Sequence, residues 1–388
     1  MTSLDELARL KLRTLEIDAL LRGLRDIEVL PGQCARQAGR GQVNFSSNDY
    51  LGLSQDPRLK EAAVAAVERF GAGAGASRLV TGNHPLYGEL ERKIAALKDT
   101  EAALIFGSGY LANLGTIPAI VGAGDLVLAD ELSHACMVSG ARLSGAKVEM
   151  FRHNDVGHLG ELLHVERNDA RHCLVLTEGV FSMDGDLAPL PDIMAAARDH
   201  NAWVMTDDAH GFGVVGQGRG SAAHWSVAPD IQMGTLSKSA GAYGGYVAAS
   251  RAVVDLLINR ARSLIYATAL PPAVVGAAIA GVDVIAQDPA LCARPLAHAR
   301  AFAAAVGLRE PMSAIVPIVL GSSSVALEAS AMLERRGFLV TAIRPPTVPD
   351  GTARLRITFC ANHARDDVMR LADAVRSEIL PMSAVRKR

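Results

Sequence analysis

The sequence predicts an α/β protein with a mostly parallel central sheet and helices on both faces. Between residues 100 and 250, short apolar runs rich in β-branched residues alternate with longer helix-like stretches, which is the rhythm of βαβ units. These runs are continuously apolar rather than alternating, as in strands buried on both faces. The predicted strands cover residues 102–106, 125–129, 147–151, 173–177, 202–206 and 245–249.

The chain is long enough for more than one domain. It has 388 residues, whereas single hydrophobic cores stop growing at about 250–300 residues. A charged, helix-periodic segment at 4–24 opens an N-terminal arm, and two prolines at 271–272 interrupt the α/β rhythm. We therefore expect an arm at 1–44, a large domain at 45–280 and a small α+β domain at 281–388.

The charge balance argues against a nucleic-acid or membrane partner. Lys and Arg number 39 against 41 Asp and Glu, and the one basic run, at 386–388, is typical of a solvated tail. The five cysteines are scattered without CxxC spacing, so neither disulfides nor a metal site is indicated. The charged N-terminal segment is unlike a signal peptide, and no apolar run is long enough for a membrane helix. We expect a cytoplasmic protein.

Residue types that carry chemistry follow the predicted strands. In parallel sheets, ligands bind beyond the carboxyl ends of the strands. Here glycine, serine, acidic and histidine residues cluster at 107–110, 130–134, 178–182 and 207–210. The sequence therefore predicts a ligand site along this edge of the sheet.

Lys238 is the candidate for covalent chemistry. Taken alone, a lysine is most often a solvated surface charge. Lys238, however, follows the apolar run 231–233 and precedes a stretch of small residues at 239–245. An amine held in a tight loop at a strand end suits Schiff-base formation, because desolvation frees its lone pair.

Asp207 and His210 follow the strand at 202–206 in the run Asp-Asp-Ala-His-Gly. An acidic pair at a strand end is as readily a helix cap, and a lone histidine is more often packed than functional. A carboxylate beneath a pyridine ring would instead keep the ring nitrogen protonated and make the ring an electron sink. His210 could then hydrogen-bond to a ring hydroxyl.

Gly-Ser-Gly-Tyr at 107–110 lies between a strand and a helix that we expect to open at Leu111. Glycine pairs are usually only turns. At a helix N-terminus, however, small residues expose backbone N–H groups to an anion, as in a phosphate cradle. Thr235 could add a hydroxyl group to the same phosphate.

Three further residues complete the predicted site. His134 could stack on a flat cofactor, and Ser182 could join His210 at the ring hydroxyl. Arg356 alternates with apolar neighbours, as in a half-buried strand. Its guanidinium could form a structural salt bridge or grip a substrate carboxylate through two parallel hydrogen bonds.

The motifs NFSSNDYLGL, GAGAGASR, SHAC, TEGVFSMDGD, DDAHGFG, GTLSK and RPPTVPDGTARLRIT run through nearly the whole chain. Together they resemble the α-oxoamine synthases, a family of fold-type I pyridoxal-phosphate enzymes. The resemblance implies pyridoxal 5'-phosphate as cofactor and a decarboxylative transfer of an acyl group from a thioester to an amino acid. The stretch at 344–356 indicates L-alanine and a pimeloyl thioester; the alternative is another branch, such as glycine C-acetyltransferase.

The resemblance implies roles around the cofactor. Lys238 would form the Schiff base, Asp207 would pair with the pyridinium nitrogen, and His134 would stack on the ring and face the substrate. The other cofactor contacts would be His210 and Ser182 at the phenolic oxygen, and Gly109, Tyr110 and Thr235 at the phosphate.

It also implies the substrate contacts. Asn48 and Arg356 would hold the amino-acid carboxylate, while Thr347 and an arginine of the arm would meet the acyl substrate. Both Arg22 and Arg25 fit the arginine position, and Arg22 is preferred.

The family is dimeric, so Thr268 would reach the phosphate of the partner subunit, and coenzyme A or an acyl carrier protein would deliver the acyl group. The sequence departs from the family pattern at Ala76, where glycine is usual. This difference affects the expected geometry of the glycine-rich loop.

Overall fold

A computed structural model describes residues 2–37 and 39–384, so the basic run at 386–388 lies outside the described residues. The strands are β1 (Glu28–Leu30), β2 (Cys34–Gln37), β3 (Arg40–Asn44), β4 (Ala102–Phe106), β5 (Leu126–Asp130), β6 (Lys147–Phe151), β7 (Cys173–Glu178), β8 (Trp203–Asp207), β9 (Ile231–Thr235), β10 (Gly245–Ala249), β11 (Ile315–Gly321), β12 (Phe338–Leu339), β13 (Ala342–Ile343) and β14 (Ala353–Thr358).

The helices are α1 (Leu4–Ile17), α2 (Pro57–Phe70), α3 (Leu86–Lys98), α4 (Gly109–Ile120), α5 (Ala135–Ser144), α6 (Val156–Glu166), α7 (Leu190–Asp199), α8 (Ser221–Trp225), α9 (Arg251–Arg260), α10 (Arg262–Ile265), α11 (Pro272–Gln287), α12 (Pro289–Val306), α13 (Ser323–Arg335), α14 (Arg365–Ala374) and α15 (Leu380–Ala384).

The chain forms two compact units. One is Asn48–Leu296, and the other combines Met1–Ser47 with Ala297–Arg388. The predicted domain boundaries, at 44/45 and 280/281, stay a prediction.

The larger unit contains a seven-stranded sheet in the order β4-β10-β9-β8-β7-β5-β6. Strands β5 to β9 pair in parallel, whereas β10 is antiparallel to both β4 and β9. The predicted mostly parallel α/β sheet is confirmed.

Both faces of this sheet are buried at its centre. Along β5, Val127 belongs to one hydrophobic core while Leu126 and Leu128 belong to another. Successive residues of a strand point to opposite faces, so apolar packing covers both sides of the sheet.

The prediction of burial on both faces is wrong for β6. Lys147 and Met150 are exposed there, and of the five residues only Phe151 is buried. The strand is the last of the sheet and pairs with β5 alone. Charged residues such as Lys147 are suited to an edge strand, because they oppose pairing with another chain.

Three strands, β5, β7 and β8, each end one residue later than predicted. As a result Asp130, Glu178 and Asp207 are the last residues of their strands rather than loop residues. The ladder therefore fixes the backbone of each carboxylate residue at the edge of the sheet.

The N-terminal helix is shorter than predicted. It begins with a capping box formed by Ser3 and Glu6 and ends at Ile17, not at residue 24. Ala19 takes a φ of 54°, a left-handed conformation that cannot continue the helix. Arg344 then binds the carbonyl oxygen of Ala19, so the chain beyond the helix is held by a tertiary contact.

The smaller unit has two sheets, in the orders β1-β2-β3-β12 and β11-β14-β13. Its core includes Phe45, Phe302 and Phe359. No single described helix is long and apolar enough to span a membrane; α11 and α12 pass that test only as a bent pair, by length and composition.

Candidate active site

A cavity of about 220 Å³ opens at the carboxyl ends of β7, β8 and β9, beside the N-terminus of α4. It lies entirely within the larger unit. Its lining residues are Ser108, Gly109, Tyr110, His134, Cys136, Glu178, Asp207, Ala209, His210, Met233, Thr235, Ser237 and Lys238. Seven of the predicted cofactor residues are thus brought together.

Lys238 lies in a tight loop between β9 and β10. Its carbonyl oxygen accepts a hydrogen bond from the N–H of Gly241 (2.9 Å), and the N–H of Leu236 donates to Gly244 (2.9 Å). Gly241 has a φ of +65°, and a Cβ there would lie 2.6 Å from the backbone at Leu53. Glycine is therefore required for the turn that holds Lys238.

A chain of side-chain contacts starts at the amine of Lys238. Its Nζ atom is 2.9 Å from His210 Nε2, and His210 Nδ1 is 2.7 Å from the hydroxyl of Tyr50. The Tyr50 hydroxyl also donates to Asn48 Oδ1 (3.3 Å). Asn48, predicted as a substrate ligand, therefore connects to the cavity through Tyr50 and His210.

Asp207 is 5% exposed and uses both carboxylate oxygens. Oδ2 accepts a hydrogen bond from Asn113 Nδ2 (2.8 Å), and Oδ1 accepts one from the N–H of Ala209 (3.0 Å). The second bond is a local turn contact of the kind that the cap interpretation predicts. The first directs the carboxylate to a side chain of α4, so Asp207 lines the cavity as well as ordering its own loop.

The neighbouring Asp208 has a different partner. It forms a buried ion pair with Lys98 at 3.0 Å, both side chains being 1% exposed. It also accepts hydrogen bonds from the N–H of Ser221 (3.0 and 3.1 Å). Adjacent carboxylates thus differ in environment, and only Asp207 reaches the cavity.

Glu178 ties two loops together behind the cavity. Its carboxylate accepts hydrogen bonds from the N–H of His134 (2.6 Å) and the N–H of Ser182 (3.2 Å). Burial and the nearby charge of Asp207 raise the pKa of Glu178 well above its usual value, against the opposing effect of Lys238. Ser182, predicted as a cofactor ligand, is buried and joins the site through this main-chain bond; it is not among the described cavity-lining residues.

The start of α4 has the features expected of an anion cradle. Ser108 caps the helix by accepting the N–H of Leu111 (3.1 Å). Among the described residues, no acceptor contacts the N–H groups of Gly109 and Tyr110. The helix was expected to begin at Leu111 but begins at Gly109, so these two N–H groups belong to its first turn. Gly109 and Tyr110 both line the cavity.

Thr235 adjoins this cradle. A Cβ placed on Gly109 would lie 3.5 Å from the Cβ of Thr235. The hydroxyl of Thr235 donates to the carbonyl oxygen of Gly244 (2.9 Å) and lies 2.7 Å from the hydroxyl of Ser237. The structure therefore places a pair of hydroxyl groups next to the N–H groups of α4.

Four residues predicted as candidates for substrate binding lie in the smaller unit: Arg22, Arg25, Thr347 and Arg356. Arg22 donates to Thr347 Oγ1 and to the carbonyl oxygen of Pro345, both at 3.4 Å. Arg25 instead lies 3.7 Å from Glu334. Arg356 was expected on a half-buried strand, but that expectation is wrong: all six residues of β14 are buried, because β14 lies between β11 and β13.

Sequence reasoning assigned no role to Tyr50, Asn113, Cys136 or Glu178. For two of these residues the sequence contains a signal. Asn113 is the one amide in a mostly apolar helix, and Glu178 follows a largely apolar run. Tyr50 and Cys136 carry no comparable signal, because a tyrosine and a cysteine are both common in protein cores.

The chain matches the family described as aminotransferase class I and II over residues 40–375. It is 58% identical over 377 residues to an 8-amino-7-oxononanoate synthase of Maricaulis maris, covering 97% of this chain and 96% of that protein. It is 53% identical over 386 residues to the protein of the same name from Beijerinckia indica, covering 99% of this chain and 100% of the relative.

Two solved structures of other proteins have a similar fold. A serine palmitoyltransferase from S. paucimobilis, solved with a PLP–myriocin adduct, has a TM-score of 0.90 at 29% identity and covers 98% of both chains. An 8-amino-7-oxononanoate synthase from Francisella tularensis has a TM-score of 0.75 at 26% identity, covering 88% of this chain and 98% of that one. From the family match and the full-length relatives together, the chain belongs to the class I and II aminotransferase family and, within it, to the 8-amino-7-oxononanoate synthases.

Proposed function

We propose that this protein joins L-alanine to a pimeloyl thioester, giving 8-amino-7-oxononanoate, carbon dioxide and a free thiol, as a step of biotin biosynthesis. The observation that carries the proposal is the convergence of an amine, a carboxylate and an anion cradle in one cavity: Lys238, Asp207 and the N-terminus of α4. The names of relatives 53–58% identical to this chain support the same reaction.

The cavity fits pyridoxal 5'-phosphate, which is the cofactor. The N–H groups of Gly109 and Tyr110 offer donors for a phosphate, and the amine of Lys238 offers a nucleophile for an aldehyde. Asp207 supplies a buried acceptor for a protonated ring nitrogen. When bound, the cofactor supplies an electron sink for the negative charge that develops at the amino-acid Cα.

We assign the other residues by their chemistry. Thr235 adds a hydroxyl group to phosphate binding, and His134 stacks on the ring and faces the substrate. His210 binds the phenolic oxygen through Nε2, the ring nitrogen that faces the amine of Lys238, while its Nδ1 contacts Tyr50. Ser182 assists His210 at that oxygen.

Lys238 moves the proton in this scheme. Its amine removes the Cα proton of alanine and returns a proton after carbon dioxide is lost. Asp207 contributes by holding a proton on the ring nitrogen, so that charge leaving Cα is accepted. With the cofactor bound, the residue that binds the amino-acid carboxylate would orient the substrate and so determine which bond at Cα breaks.

Arg356 and Asn48 are the proposed carboxylate ligands. A guanidinium binds a carboxylate through two parallel hydrogen bonds, a geometry that also fixes its orientation. Arg22 and Thr347, which contact each other, are proposed to meet the acyl substrate. We expect an acyl group carried by coenzyme A or by an acyl carrier protein.

We further propose a cytoplasmic homodimer. The helix α1 has no buried residue and exposes Leu4, Leu10 and Ile17, so an apolar surface is available for a second copy. Thr268, exposed beside Ser77, is the residue proposed to reach the partner's phosphate. All five cysteines are free, as is usual for cytoplasmic proteins. Analytical ultracentrifugation tests the dimer directly.

Thiol release with paired substrates tests the reaction. We expect a much higher kcat/KM for pimeloyl thioester with L-alanine than for acetyl-coenzyme A with glycine. A third pair, palmitoyl-coenzyme A with L-serine, is included because serine palmitoyltransferases share the fold at a TM-score of 0.90. Mass analysis of the product should find 8-amino-7-oxononanoate. A higher kcat/KM for either of the other two pairs would reassign the chain to that branch of the family.

A further inference from the structure

Cys136 connects two functional side chains of the cavity. It is 2% exposed, lines the cavity and contacts both Asn113 and His134. Asn113 Nδ2 donates to Cys136 Sγ (3.1 Å), and Cys136 Sγ lies 2.8 Å from His134 Nδ1. The same Asn113 nitrogen donates to Asp207 Oδ2 (2.8 Å). A continuous chain of contacts therefore runs from Asp207 to the imidazole of His134.

The available protons determine the direction of each contact. Asn113 Nδ2 carries two hydrogens, and one goes to Asp207 while the other goes to the sulfur of Cys136. The thiol hydrogen is then free to point at His134 Nδ1. Burial raises the pKa of the Cys136 thiol to about 12, and the charge of Asp207 acts in the same direction, so the hydrogen is present at neutral pH.

A second donor reaches the same imidazole nitrogen. The N–H of Cys136 donates to His134 Nδ1 (3.3 Å), because His134 caps the N-terminus of α5 with its ring. Because the backbone N–H can only donate, Nδ1 must be an acceptor, and the thiol hydrogen then also points at it. The neutral ring then carries its hydrogen on Nε2, and its plane is held in the capping orientation.

We propose that Cys136 is a positioning residue: its thiol holds the His134 imidazole in the Nε2–H form and in a fixed orientation, and Asn113 couples this arrangement to Asp207. The inference rests on the proposed roles of His134 and Asp207. The effect on the reaction is that the stacking ring and the carboxylate for the ring nitrogen are aligned by one set of hydrogen bonds.

Other charged groups also act on His134. The charge of Asp207 favours the imidazolium, the charge of Lys238 opposes it, and Glu178 binds the N–H of the same residue. Burial is the largest effect and lowers the pKa of His134. The charged groups remain in every cysteine variant, and Cys136→Ser also keeps the site filled, so a shift in Cys136→Ala that Cys136→Ser does not show can be assigned to the lost donor.

The test compares Cys136→Ala with Cys136→Ser, using Cys173→Ala as the control. Cys173 is a buried cysteine of the same unit that does not line the cavity. Proteins labelled with 15N-histidine are titrated by NMR, with and without pyridoxal phosphate, and the His134 signals are identified by their loss in His134→Gln. This measurement needs no substrate, so it stands even if the proposed substrates are wrong.

In the wild type and in Cys136→Ser we expect the Nε2–H form, since a hydroxyl also donates to Nδ1. In Cys136→Ala we expect the midpoint of imidazolium formation to move up by about half a pH unit or more, because a donor opposing protonation at Nδ1 is gone. We also expect thiol release to lose about tenfold in kcat with little change in KM, with recovery in Cys136→Ser.

An unchanged His134 titration in Cys136→Ala would overturn the proposal, as would an equal shift in Cys173→Ala. If Cys136→Ala fails to fold, Cys136→Ser decides alone. A His134 hydrogen found on Nδ1 in that variant would show that the side chain at position 136 does not set the form of the ring.

Discussion

The amine of Lys238 lies 2.9 Å from Nε2 of His210. This contact holds the nucleophile at the edge of the cavity, beside the residue proposed to bind the phenolic oxygen. We predict that Lys238→Ala abolishes turnover and covalent attachment of the cofactor. Borohydride reduction followed by peptide mapping measures the attachment. Lys147→Ala, at an exposed lysine paired with Glu166, should retain it; a reduced adduct on any other lysine would refute the assignment.

Asp207→Asn removes the negative charge of Asp207 while keeping a side chain of the same shape. The amide keeps an oxygen for the N–H of Ala209 but sets its NH2 group against the NH2 of Asn113, so the protein should fold with a lower thermal midpoint than the wild type. A neutral side chain cannot hold the ring nitrogen protonated. We predict that solvent exchange of the alanine Cα proton slows by about 100-fold or more. Near-normal exchange would mean that Asp207 only stabilises the local turn through the N–H of Ala209.

The adjacent Asp208→Asn should give the opposite pattern. Asp208 pairs with Lys98 where both side chains are 1% exposed, and removing one charge of a buried pair costs on the order of 3–5 kcal/mol. We predict a lower free energy of unfolding in urea, with alanine exchange largely retained below the denaturation range. Loss of exchange without loss of stability would place Asp208, and not only Asp207, in the catalytic machinery.

Gly245→Ala should weaken cofactor binding. A Cβ there would lie 2.5 Å from the backbone at Ser108 and Gly109, so the start of α4 would have to move. We predict at least a tenfold weaker affinity for pyridoxal phosphate, measured by fluorescence titration, because the N–H groups of the cradle are displaced. Gly160→Ala is the control, since nothing lies within 4 Å of its Cβ; equal affinity in both variants would contradict the cradle assignment.

His153 should make stability depend on pH. Its ring contacts Asp130 (3.0 Å) and Asp186 (2.9 Å), and its side chain is 22% exposed. Burial alone would lower the pKa of His153, but the hydrogen bonds and charges of the two carboxylates raise it to about 10. The folded pKa lies above the unfolded value of about 6.5, so the stabilisation is full below that value and is lost as pH rises through 10.

We therefore predict that His153→Gln lowers the free energy of unfolding by on the order of 2–3 kcal/mol at pH 6. The difference from wild type should shrink toward pH 10, where the wild-type imidazolium is lost. Urea unfolding at several pH values between 6 and 10 measures this difference. A constant difference across that range would mean that His153 contributes by packing against Phe181 rather than by charge.

The sequence by itself determined the α/β class and the family. Continuous apolar runs favour strands buried on both faces. Three of the six predicted strands, at 102–106, 147–151 and 245–249, have the observed bounds, although the strand at 147–151 is mostly not buried. The motif residues Lys238, Asp207 and His134 were predictable for a local reason. Each follows or ends a strand, and the carboxyl ends of parallel strands meet at one edge.

The tertiary structure alone decided how these residues are held. Asn113 and Tyr50 bind partners that are distant in sequence: Asn113 lies 94 residues from Asp207, and Tyr50 lies 160 residues from His210. The end of α1 and the burial of Arg356 also depend on contacts from other strands and loops. Periodicity and spacing report only on local conformation and on which face a residue takes, whereas hydrogen-bond partners across the fold exist only once the chain has closed on itself.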